Sequence, residues 1–227
     1  MIYLLVIAII LVLIIPSLWV KVVIKRHAKS LPDLPGTGGE FAAHLITQLK
    51  LTDVTVEKGH PGQDHFAPNQ KIVSLSPLVF DGKSVSAIAI AAHEVGHAIQ
   101  YHRKEPITKL RERYTPLALI IEKIAISLMG ISPVIVAIFK VPHIGAISVI
   151  AAIVSILISV LMQLIILPME WDASFNKALP VIEAGNYLSE DKIPAARQVL
   201  RAAAMTYVAS ALSSILNVWR WLKILRR

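Results

Sequence analysis

The chain has 227 residues, of which 55% are hydrophobic and 17% charged, with no cysteine and a formal net charge of +8; its mean hydropathy is +0.64. Such figures exclude disorder, and the missing cysteines exclude disulfide scaffolds and cysteine-ligated zinc or iron–sulfur centres. A soluble domain keeps roughly a quarter of its residues charged, so the composition predicts a mainly α integral membrane protein whose basic residues flank apolar runs.

Residues 2–20 carry no charge, and as a helix they would span roughly 29 Å, the thickness of a hydrocarbon core. No basic residue precedes them, while Lys21, Lys25, Arg26 and Lys29 follow. The expected element is therefore an uncleaved anchor with its C-terminal end in the cytoplasm, not a signal peptide. Residues 30–40 (SLPDLPGTGGE) form a Pro/Gly linker, and residues 40–50 look helical. Residues 71–76 (KIVSLS) alternate as a half-exposed strand does, and Pro77 ends it. Strand 71–75 could be a free sheet edge on which an extended substrate is bound, or an ordinary edge; His65 lies just before it.

Residues 84–102 read as a helix with Ser84 or Ser86 as N-cap. The apolar region 117–168 is split by turn chemistry at 140–145 (KVPHIG), which predicts a hairpin of two spans, 117–139 and 144–167. One lysine lies in the loop, against Arg103, Lys104, Lys109, Arg111 and Arg113 before the first span. The loop is thus expected outside and the preceding segment inside. Residues 202–219 are rich in Ala and Ser and are followed by Arg220, Lys223, Arg226 and Arg227. They suit a helix packed on the inner part or lying in the interface, the alternative being a fourth crossing.

The helix over 84–102 carries His93-Glu94-Val95-Gly96-His97. Two histidines four residues apart are turned about 40° from each other, so both imidazoles face one way and can hold one zinc. Glu94 can reach metal-bound water as general base, and zinc would lower that water's pKa toward ~7. Gly96 leaves room for another group beside the second ligand. Catalytic zinc takes three protein ligands and an open position. Glu170, in PMEWDAS at the end of the second hairpin span, is the expected third ligand, with Asp172 as the carboxylate that orients an imidazole or as the rival ligand. Tyr207 could hydrogen-bond an oxyanion, or sit at a helix interface.

The run SLSPLVFDGKSVSAIAIAAHEVGHAIQ, then the hairpin and EWDAS, resembles the YugP family of bacterial membrane zinc metallopeptidases. That family is similar in plan to HtpX and the CAAX prenyl protease: a gluzincin-like helix, a membrane hairpin, then a glutamate motif. The resemblance covers nearly the whole chain and implies His93, His97 and Glu170 as zinc ligands and Glu94 as catalytic base. HtpX-like enzymes close on E-x-E-A-D, where this chain has Asp172 for the inner Glu and Ser174 for the Asp.

The expectation is thus a gluzincin-like core with a small β element and three or four transmembrane helices. Its parts are an anchor (1–20), a cytoplasmic-side zincin part (21–116), a transmembrane hairpin (117–168), and a third-ligand segment with C-terminal helix (169–227). Expected with it are one Zn2+ per chain, a protein or peptide substrate, contact with the lipid bilayer, no nucleic acid, and a multi-pass cell-membrane location with the site facing the cytoplasm. The function expected is endopeptidase action on membrane or misfolded proteins. The rivals are a non-catalytic zinc scaffold and an intramembrane site-2-type protease. The latter carries its HExxH inside a span, whereas here Tyr101-His102-Arg103-Lys104-Glu105 follows the motif at once.

Overall fold

A computed structural model describes residues 2–139 and 142–225, leaving aside a number of side chains in the long helices. In chain order the elements are α1 (Ile2–Arg26), α2 (Gly38–Gln48), β1 (Thr55–Lys58), β2 (His65–Ala67), β3 (Ile72–Leu75), α3 (Pro77–Phe80), α4 (Val85–His102), α5 (Thr108–Phe139) and α6 (Pro142–Trp171). A π-helical segment (Asp172–Ala178), α7 (Leu179–Ala184), a 3-10 turn (Glu190–Lys192) and α8 (Ile193–Leu225) complete the described chain.

Two compact units divide these elements. One comprises residues 1–17, 109–167 and 207–227, and within it Ser17 Oγ donates to the Ala209 carbonyl (2.8 Å). The other comprises residues 18–108 and 168–206, and it contains the sheet, α4 and the π-helical segment.

In this second unit α4 is central: every residue from Val85 to Gln100 is buried. That exceeds the one apolar face expected of Ile88, Ile90, Ala91 and Ala92, and the reason is side-chain size. Ala87, Ala89, Ala91, Ala92 and Ala98 let neighbouring backbone approach from several sides, and each is at most 1% exposed. Ser84 caps the helix by accepting from Ala87 N (3.1 Å), and Ser86 Oγ donates to the Ile24 carbonyl (2.7 Å), docking the end of α1. On another side lies α2, opened by a reciprocal box in which Thr37 Oγ1 accepts from Glu40 N and Glu40 Oε2 accepts from Thr37 N. This cap moves the helix start to Gly38, two residues ahead of the expected 40–50.

The sheet order is β1-β3-β2, with β3 parallel to β1 and antiparallel to β2. Strand 71–75 is therefore the middle strand and not a free edge; both its flanks are hydrogen-bonded, and the edges are β1 and β2. TVEK and HFA are too short and too polar to announce themselves as strands.

The expected transmembrane architecture is corrected. Crossing a bilayer takes about 20 consecutive apolar residues in one helix, and among the described residues no helix is long and apolar enough. The integral membrane fold with three or four transmembrane helices, and the multi-pass cell-membrane location drawn from it, rested on the length of apolar runs in the sequence, and no described helix meets that requirement. α1 runs on through Lys21, Lys25 and Arg26, α5 opens with Lys109, Arg111, Glu112 and Arg113, and α8 takes in Arg197 and Arg201 ahead of 202–219. The turn expected at 140–145 falls where α5 ends and α6 begins, with residues 140 and 141 outside those described.

Gly96 shows what holds α4 to the π-helical segment. A Cβ at that position would stand 2.6 Å from the Ala173 carbonyl oxygen, far inside van der Waals contact. At an open helical position Gly→Ala would gain up to about 1 kcal/mol from helix propensity. Here Gly96→Ala is expected to destabilise by about 1–3 kcal/mol through overpacking. Equilibrium unfolding of the metal-free protein measures it, and a variant as stable as wild type would show that the two backbones are not in contact.

Candidate metal centre

α4 places His93 and His97 one turn apart on the side that meets the end of α6, and their rings stand 4.7 Å apart, edge to face. Pro168 withholds an N–H from the α6 ladder two residues before Glu170, and after Trp171 the chain widens into the π-helical turn. Glu170 enters between the imidazoles: its Oε2 lies 3.3 Å from His93 Nε2 and 3.1 Å from His97 Nε2. All three residues are buried, Glu170 at 1% exposure. Donor atoms of the three lie within 4.8 Å of one another.

The opposite nitrogen of each imidazole is also engaged. Ser174 Oγ donates to the Leu200 carbonyl (2.9 Å), so toward His93 Nδ1, at 2.9 Å, it is the acceptor. Gln100 Oε1 lies 3.0 Å from His97 Nδ1. Both rings are thereby set with N–H at Nδ1 and the Nε2 lone pair toward Glu170, the tautomer that ligates a metal through Nε2.

Burial opposes ionisation of Glu170; when the imidazoles also carry a proton at Nε2, the charge of His97 and hydrogen bonds from His93 and His97 outweigh it and hold the carboxyl well below the usual carboxylate range, and a cation bound at the two Nε2 atoms would take the place of those protons. An ionised carboxylate this deep needs a compensating cation or a full set of donors. Glu170 Oε1 has no hydrogen-bond partner. Two Nε2 donors, a buried carboxylate and an orphaned oxygen fit a bound divalent metal, and an N2O donor set suits zinc.

Glu94 is buried on α4 between the two histidines, at 6% exposure. Asp172 is linked to His97 through Gln100: its Oδ2 accepts from Gln100 Nε2 (2.8 Å) and pairs with Lys177 Nζ (3.2 Å), and its Oδ1 accepts from Asn176 (2.7 Å). His65 sits half-buried on β2. Tyr207 belongs to the other unit, where its hydroxyl accepts from Arg111 Nη2 at 3.2 Å and the guanidinium stands 5.8 Å from the ring centre. Gln100 and Ser174 were not singled out in the sequence, though a helical signal exists for each. Gln100 is three residues past His97 and Ser174 four past Glu170, the spacings that share a helix face.

A mainly helical chain with a small sheet, bringing a His-x-x-x-His pair against a buried glutamate, defines a protein with a metal centre of the zinc-hydrolase type. Over residues 2–226 the sequence matches the family described as "Putative neutral zinc metallopeptidase". A Bacillus subtilis (strain 168) protein named "Putative membrane protease YugP" is 32% identical over 213 residues, covering 92% of this chain and 91% of that protein. The chain belongs to this family of zinc metallopeptidases. No solved structure matches it. Zinc is accordingly its cofactor, with His93, His97 and Glu170 as the candidate site.

Two outcomes follow. Glu170→Ala removes the anion that faces both Nε2 atoms and should abolish stoichiometric zinc, whereas Asp172→Ala, one hydrogen bond removed from the imidazole, should weaken binding and leave the site occupied. Metal analysis after dialysis distinguishes them; zinc surviving Glu170→Ala but lost with Asp172→Ala would exchange their roles. The second concerns Asp64, whose Oδ1 accepts from Ser76 N (2.7 Å). Burial pushes its carboxyl above the ordinary 3.8, only partly offset by hydrogen bonds from Ser76, and the charge of Glu94 pushes the same way. A raised folded-state pKa means that Asp64's contribution to stability is fully present below pH 3.8 and is lost as pH rises through the folded value. Asp64→Asn keeps an acceptor for Ser76, so at neutral pH it should be at least as stable as wild type, with the advantage shrinking in acid. A variant that unfolds more readily at neutral pH would contradict this.

Proposed function

We propose that the protein is a zinc-dependent endopeptidase that hydrolyses peptide bonds of protein or peptide substrates. The observation that carries this is the buried His93–His97–Glu170 set with an unpartnered carboxylate oxygen, one helical position from a buried Glu94. Zinc held by these three residues would supply Lewis acidity to a scissile carbonyl and acidify the attacking water. Glu94 would be the base that accepts a proton from the attacking water and returns it to the leaving amide nitrogen. Ser174 and Gln100 keep the ligand rings in the tautomer that offers Nε2. The order of motifs, HExxH helix then two long helices then glutamate, supports a likeness in plan to HtpX and the CAAX prenyl protease.

The competing reading is a zinc-binding scaffold without turnover. Structural zinc needs no base, so a glutamate kept beside the ligands at 6% exposure favours catalysis. Glu94→Gln separates the two. It removes a base and no ligand, and should keep about one zinc per chain while cutting proteolysis of a casein-type substrate by roughly 10²–10⁴-fold. Loss of the metal in this variant would make Glu94 part of the ligand set. A wild-type protein that holds zinc and cleaves nothing would favour the scaffold.

A further inference from the structure

Gln100 is 0% exposed, and both ends of its amide are used. Oε1 lies 3.0 Å from His97 Nδ1, while Nε2 donates to the Met169 carbonyl (3.0 Å) and to Asp172 Oδ2 (2.8 Å). The orientation of the amide follows from chemistry. Turned over, its oxygen would face a carbonyl and a carboxylate, both acceptors, so only the observed placement satisfies all three contacts. Oε1 must then accept, which puts the proton of His97 on Nδ1.

The contacts join two separate pieces of the metal centre. His97 stands on α4, and Met169 is the residue before Glu170 on α6. We propose that Gln100 is a positioning residue for zinc binding: its one amide fixes the ring of His97 and the backbone that carries Glu170, setting two of the three ligands relative to each other. The far end of the amide is held in turn. Asp172 pairs with Lys177 (3.2 Å), Lys177 pairs with Glu105 (3.1 Å), and Glu105 N donates to the Gln100 carbonyl (3.0 Å), which closes the network on the residue where it began. Partners of this kind typically change metal affinity 10–100-fold.

This rests on the reading of His93, His97 and Glu170 as the zinc site, and the experiment separates the two. Zinc alone is titrated into the full chain, stripped of metal, in competition with a chromophoric chelator, and the unfolding midpoint of each metal-free variant is recorded alongside. Gln100→Leu should bind zinc about 10–100-fold more weakly while remaining folded. Gln100→Glu should be similarly weak, because its carboxylate opposes the Met169 carbonyl and Asp172. Adding Asp172→Asn to Gln100→Glu should recover affinity about tenfold, since an amide at 172 can donate to the new carboxylate. A merely structural role would make affinity follow the unfolding midpoint and would give no such recovery. Gln100→Leu binding within twofold of wild type, or no recovery in the double variant, would overturn the proposal while leaving the zinc site intact. Should the variants not fold, zinc-loaded wild type decides by proton NMR. A slowly exchanging Nδ1–H of His97 is expected, and a rapidly exchanging one refutes the role. Wild type that takes up no zinc would instead defeat the peptidase reading itself.

Discussion

Burying an ionised carboxylate between two imidazoles is the constraint to which the second unit is built. Glu170 is 1% exposed and one of its oxygens has no hydrogen-bond partner. Removing one partner of a buried charge typically costs 3–5 kcal/mol, because the remaining charge stays uncompensated. Two histidines offering lone pairs do not neutralise a carboxylate; they complete a cage for a cation. The arrangement is therefore stable with respect to its alternatives when a metal is bound, and folding and metal affinity are linked.

That cage exists only because two backbones come within side-chain range of each other. Gly96, between the ligand histidines, admits the Ala173 carbonyl, and the π-helical turn over Asp172–Ala178 presents it. A wider turn changes the angular spacing of residues along the helix. It is this stretch that points Ser174 at His93 and Asp172 at Gln100 while Glu170, just before it, meets both rings. The alanines of α4 play the same part on its other sides, since small side chains give up little and let the helix bury its full circumference.

The sequence made the metal pair legible because HExxH depends on a local regularity: four residues of helix bring two side chains to one face. Ser84 as a cap, the helix over 84–102 and the strand after residue 71 were readable for the same reason. Thr37 and Glu40 form a box whose spacing is equally local and marks the start of α2. The sheet order is not local. β3 lies between strands of three and four residues whose pairing depends on contacts that no periodicity in TVEK or HFA encodes. Apolar runs misled because they measure hydrophobic length along the sequence, whereas a crossing needs one helix that is long and apolar enough, and none of the described helices is. Glu170 was legible as the first acid after an apolar stretch of sequence. Its partners Gln100 and Ser174 were not, because neutral polar residues on a helix are common and acquire meaning only once the facing element is known.

The choice of an amide beside His97 follows from counting charges. A carboxylate at position 100 would also accept from His97 Nδ1, and carboxylates are the usual partners of ligand imidazoles. Here Glu94 and Glu170 are already buried carboxylates, and Asp64 is close enough for Glu94 to push its carboxyl upward. A further anion at a position with no exposure would add repulsion in a medium that screens it poorly. Gln100 gives orientation without charge. The negative charge is moved one hydrogen bond outward, to Asp172, where the side chain keeps 16% exposure and meets Lys177. Asp172 can therefore polarise the amide, and through it His97, while its own charge is balanced by a lysine and by water. On the function proposed above, Glu94 is left to move a proton and Glu170 to hold a cation, two carboxylates given different tasks by their surroundings.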